Sequence, residues 1–229
     1  QVGPQQIVSD ELRIDGSTLP AHPTVIVPTD HTGSTGDAKG WFLVQPTGAL
    51  LLSNVTLDGD AFNINQGIRC YGAGSFYKVR FKNLSFGTGT YLGTAVVAFG
   101  DDPVVVDNCT FENIGRIGAL FYGSGISIGH FNHNSYIGKG VGDWLDYAVE
   151  VGAGATVDIG WNTISGCRGV ASVDGSSSAG VLVTTYYGTG TKANLYGNRI
   201  TDCTAGLSAG YDAAEGSTIL VTGGNDFVG

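Results

Sequence analysis

The stretch VDIGWNTISGC, residues 157–167, alternates apolar and polar side chains, passes through Asn-Thr-Ile and closes on a small turn. The same phrase returns along the chain. With Ile164 as anchor, equivalent phrases place Leu57, Phe81, Phe111, Ile137, Ile200 and Phe227 at the same point, with steps between 24 and 36 residues. The slack falls in Gly/Ser-rich stretches such as SVDGSSSAG (172–180), as in a coil whose strands keep their length while one loop varies. Ahead of most anchors lies another short run, among them TAVVAFGDDP, GALFYGSG and YAVEVGAGA, most of them rich in β-branched and aromatic residues and closed by a Gly-containing turn.

A unit of two or three short strands cannot bury its own apolar face. Stacking the units puts the seven anchors in one interior column, in a rod roughly 34 Å long at about 4.8 Å per coil. Asn residues at or before the anchored strand (Asn54, Asn108, Asn134, Asn162, Asn198 and Asn225) suit a bend. They fall in two registers one residue apart and do not define a single ladder.

The phrases NTISG, NCTFENIG and NRITDC resemble those of the right-handed parallel β-helix, pectin-lyase-like superfamily, over roughly residues 41–229. The expected fold is all-β, a right-handed parallel β-helix solenoid of about seven coils, the handedness coming from the resemblance. Residues 1–40, which hold four of the six prolines, are expected to form an N-terminal cap or partial coil. The chain stops inside a repeat, so self-association through the C-terminal coil is an expectation.

Composition agrees with a turn-dense β protein: 38 glycines, 42% hydrophobic and only 14% charged residues. A net charge of -9 argues against nucleic acid as partner. No apolar run is long enough for a membrane span. Export is expected, to the cell exterior, cell surface or periplasm. Cys167 and Cys203 each lie three residues past their anchors, which makes them neighbours on successive coils, as two thiols or one disulfide. No CxxC is present, which disfavours zinc.

The resemblance implies an acidic polysaccharide as ligand and β-elimination as chemistry, with a Lys or Arg base and cations or calcium on the uronate carboxylate. Calcium is the one cofactor this admits. Lys82, Arg116, Lys139 and Arg168 follow the anchors as a candidate basic stripe, with Lys139 and Arg168 the candidate catalytic bases. The densest polar segment, GHFNHNSYIGKGVGDWLDYAVEVG (129–152), adds His133, Asp143, Trp144, Asp146, Tyr147 and Glu150 as substrate-binding candidates beside Arg116. Carboxylates next to flat aromatics suit a sugar ring. Glu150, between Val149 and Val151, is expected to face outward if those two face inward. Part of this segment, NHNSYIGKGVG, resembles alginate-lyase and chondroitinase-B β-helices, but their later Lys-Ser and Arg-His-Gly phrases have no counterpart, and binding is expected ahead of cleavage. Two alternatives stand beside it: a non-catalytic structural or adhesive module stacking end to end, and a hydrolase using Asp143 with Asp146 or Asp101 with Asp102.

Overall fold

The computed structural model describes residues 2–18, 23–87, 92–126, 129–210 and 218–229. Its strands form three parallel eight-stranded sheets, in which each strand pairs with its equivalent one turn away. Eight rungs and the seven turns between them make a parallel β-solenoid. One rung shows the plan: Tyr147–Gly152 lies in the first sheet, Thr156–Gly160 in the second and Thr163–Cys167 in the third. VDIGWNTISGC holds two strands, broken at Trp161, whose φ is +52, next to the Asn162 expected at a bend. A parallel pair needs a long crossover, and here the other two strands of the turn supply it.

The interior column forms as the repeat requires. Leu57, Phe81, Phe111, Ile164 and Ile200 are buried. Phe81 stacks on Phe111 with ring centroids 4.9 Å apart, and Tyr136 follows at 6.0 Å. The fourth anchor is therefore Tyr136 rather than Ile137: the register runs Phe111 to Tyr136 to Ile164, and Ile137 is 55% exposed. Strand side chains alternate with period two, so a one-residue slip exchanges core for surface. Phe227 pairs with Ile200 but is exposed on the last rung.

The two Asn registers are two different devices. Asn54 and Asn108 sit in the left-handed region at φ +54, a conformation Asn tolerates and most residues avoid. One position later, Asn134, Asn162 and Asn198 are buried and form a ladder up the inside of the corner. The Asn134 backbone N–H donates to Asn162 Oδ1 at 2.8 Å, and that of Asn162 donates to Asn198 Oδ1 at 3.1 Å. Asn162 Nδ2 donates to the Phe131 carbonyl at 2.8 Å and Asn198 Nδ2 to that of Ile159 at 2.8 Å. Each amide satisfies corner backbone groups that no sheet hydrogen bond reaches.

The first forty residues supply the first rung. Gln6–Val8, Glu11–Asp15 and Thr24–Ile26 pair in register with Gly40–Val44, Ala49–Ser53 and Val55–Asp58. Pro23 and Pro28 flank the third of these strands, where no ladder donor is lost, which is how a proline-rich segment still forms a coil. Cys167 and Cys203 are neighbours with their thiols in hydrogen-bonding contact, and the chain's four cysteines are free. That contact, then burial, holds the Cys167 pKa well above the ordinary value.

Candidate functional site

The residues picked from the sequence separate into two clusters and four outliers. Lys139 turns inward. Its ammonium donates to the carbonyls of Ile114 at 3.0 Å and Gly115 at 2.9 Å, and pairs with Asp146 Oδ1 at 3.1 Å, with the Leu145 carbonyl at 3.3 Å. Asp146 is wholly buried. Its Oδ1 also accepts from the Tyr136 hydroxyl at 2.7 Å, and its Oδ2 accepts from the Lys139 backbone N–H at 2.6 Å. Burial lowers the Lys139 pKa while Asp146 raises it, and burial comes first. Every proton of that ammonium has an acceptor, so the group works as an internal tie between coils.

Arg168 pairs with Asp202 at 2.9 Å on the exposed surface. Asp143 accepts from the backbone N–H and hydroxyl of Ser172, both at 2.7 Å, and Trp144 donates its indole N–H to the Gly140 carbonyl at 3.1 Å. The Trp144 ring lies where a Cβ on Gly142 or Gly169 would stand, so it closes a loop. His133 is at another corner, at φ +56, stacked on Trp161 at 4.9 Å and bonded to Asp107 at 2.8 Å. Asp143, Asp146 and Glu150 do not converge, and among the described residues no group of three or more His, Cys, Asp or Glu is placed to hold a metal ion. The basic stripe does not form either: Lys82 pairs with Asp58, Lys139 turns inward, Arg168 pairs with Asp202 and Arg116 faces a groove of the first sheet.

Arg116, Tyr147 and Glu150 do come together. They line a groove of about 520 Å³ across the first sheet, with Asp174, Ser176 and Tyr187 on its rims. A second hollow of about 310 Å³ continues it past Leu120, Tyr122 and Phe99. The strand Tyr147–Gly152 positions Glu150 as its alternation predicts: Val149 and Val151 enter the core and Glu150 faces the groove. Its neighbours on the adjacent rungs are Leu120 and Leu182. Burial between them raises the Glu150 pKa above 4.5, and Arg116 opposes that shift. The Tyr147 hydroxyl donates to the Ser177 carbonyl at 3.1 Å and also contacts Arg116. Burial raises the Tyr147 pKa.

One wall of the groove is aromatic, and the sequence reading missed it. Tyr71 stacks on Phe99 at 5.9 Å, Phe99 meets Tyr122 edge-on at 5.4 Å, and Tyr187 meets Tyr122 at 5.3 Å. Tyr186 and Tyr187 are both more than half exposed. A signal was present. Tyr71, Phe99 and Tyr122 each fall at the end of a first-sheet strand or just past it, and aligning those strands rather than the anchors would have stacked them.

Fold and site together define a parallel β-solenoid with a polar and aromatic groove crossing several rungs of one sheet. No protein-family model, no curated protein and no solved structure matches the chain.

Proposed function

We propose that the protein binds a polysaccharide along the groove of the first sheet, outside the cell, and that its fold belongs with the pectin-lyase-like helices it resembles in sequence. The carrying observation is that Arg116, Tyr147 and Glu150, selected from sequence for sugar contacts, line one groove beside an aromatic wall. The ring-to-ring steps of 5.9, 5.4 and 5.3 Å from Tyr71 to Tyr187 give the wall a length of no more than about 17 Å, which fits a few units of a polymer. Aromatic faces take the apolar side of a sugar ring while carboxylate and guanidinium take its polar edge. Arg116 supplies the charge that an acidic chain needs.

Binding is the activity the groove supports ahead of cleavage. A lyase base must give up its own proton at working pH. Lys139 is tied inward, Arg168 lies in an exposed ion pair, and Tyr147 is pushed away from ionisation by burial. Isothermal titration against polygalacturonate, alginate, chondroitin and neutral glucans and galactans tests the reading, with ultraviolet absorbance of unsaturated uronate followed alongside. The expected result is saturable binding, weakened several-fold in Tyr122→Ala and Tyr187→Ala, without an absorbance rise. A parent protein that binds no polysaccharide overturns it and favours end-to-end stacking, which sedimentation would show as concentration-dependent association.

A further inference from the structure

Cys167 ends the strand Thr163–Cys167, and Cys203 follows the partner strand Arg199–Thr201 one coil further on. Ile164 pairs with Ile200 and Ser165 with Thr201, and the Thr204 backbone N–H donates to the Cys167 carbonyl at 2.8 Å, so the two coils are stacked on both sides of the thiols. In-register strands lie about 4.8 Å apart, inside the Cα separation of roughly 4.4–6.8 Å that a disulfide spans. The two thiols share a hydrogen bond. Cys167 is wholly buried and Cys203 only in part. The other two cysteines stand apart, on different columns of the core. Cys70 lies in the first sheet, in register with Val44 and Ala98, and Cys109 lies at the corner between the second and third sheets, its thiol donating to the Phe76 carbonyl at 3.3 Å.

We propose that Cys167 and Cys203 are a disulfide-forming site, oxidised by an incoming disulfide, and that the bond staples one whole coil of the solenoid. Cys203, the partly exposed member, attacks one sulfur of the incoming disulfide and expels the first thiol. Cys167 then attacks Cys203 Sγ, the mixed disulfide breaks, and the second thiol leaves with the proton of Cys167. Two cysteine thiols are oxidised to one disulfide while the incoming disulfide is reduced to two thiols. The hydrogen bond between the pair favours this order, since it lowers the Cys203 pKa and raises that of Cys167. Burial pushes Cys70 and Cys109 up to about 12 and keeps them inert. The closed loop runs from residue 167 to 203 and holds the strands Ala179–Val183, Lys192–Tyr196 and Arg199–Thr201, one from each sheet. It also carries Asp174, Tyr186 and Tyr187 of the groove, so the staple fixes that part of the groove to the coil before it. Closing a long loop restricts the unfolded chain more than closing a short one. The site stands whether or not the groove holds a glycan.

The test incubates the full chain, folded and reduced, with oxidised glutathione, followed by thiol counting, non-reducing peptide mapping and thermal unfolding. The parent should lose two of its four thiols, show Cys167 linked to Cys203, and melt about 5 °C or more above its reduced form. Cys167→Ala should stop at a glutathione adduct on Cys203, and Cys203→Ser should take up no glutathione. Four free thiols in the parent, a lasting glutathione adduct on its Cys203, or a link that includes Cys70 or Cys109 overturns the site. A Cys167–Cys203 bond that leaves the melting temperature unchanged or lower overturns the staple.

Discussion

Lys139 with Asp146, and Arg116 with Glu150, are two cation and carboxylate pairs built on neighbouring rungs from the same short segment of sequence and its surroundings. They have opposite characters. Around Lys139 and Asp146 the hydrogen bonds close on themselves: three backbone carbonyls, a tyrosine hydroxyl and a backbone N–H complete the set. Around Arg116 and Glu150, which line a groove, two buried atoms remain without a partner among the described residues. Residue type does not separate a tie from a site. What separates them is whether the protein itself uses up the hydrogen-bonding capacity of the charged groups.

The comparison breaks first at Lys139. Lys139→Met leaves Asp146 buried without its counter-charge and should cost about 3–5 kcal/mol in urea unfolding, with no effect on glycan affinity in the folded fraction. An affinity loss there, with stability kept, would reverse the roles of the two clusters. Next is the corner ladder: Asn162→Ala strands the Phe131 carbonyl and the Asn134 N–H and should cost about 2–3 kcal/mol. Glu150→Leu carries the opposite sign. It should gain about 1 kcal/mol, or roughly 2–4 °C in melting temperature, while weakening glycan binding. Arg168→Ala, at an exposed pair screened by solvent, should change stability by no more than about 0.5 kcal/mol.

The smallest effect is in pH and sharpens the assignment of Glu150. Its folded pKa lies above the unfolded one, so between 4.5 and its raised value the folded state holds more protons. Stability contributed by this group is therefore highest below 4.5 and falls as pH rises through that window. Arg116, the rim carboxylate of Asp174 and the tyrosines Tyr122, Tyr147, Tyr186 and Tyr187 are the charged and titratable groups around it on the packed elements. The melting temperature of the parent, taken relative to Glu150→Gln, should decline across the window. A flat difference would mean that the carboxylate is solvated.

The fold was legible because a repeat is written many times over. One misread anchor, Ile137 for Tyr136, left the other six in place and the solenoid intact. The first rung was harder to read, since its prolines resemble a cap until the strands around them are seen to pair. The site was legible only in part. Arg116, Tyr147 and Glu150 are assembled in the groove, whereas Lys139, Asp146 and Trp144, equally prominent in the same dense polar segment, are internal ties, and His133 and Arg168 lie on other faces.

By itself the sequence determined that strands alternate, turn at glycine and asparagine, and stack their anchors, because these follow from local periodicity and from the need of each unit to bury one face. Only the tertiary structure decided which charged groups are spent and which are open. Burial and hydrogen-bond closure depend on residues far away along the chain: Tyr136, Gly115 and Asp146 around Lys139, and Leu120, Leu182 and Tyr122 around Glu150. Their meeting is set by how one coil lies on the next.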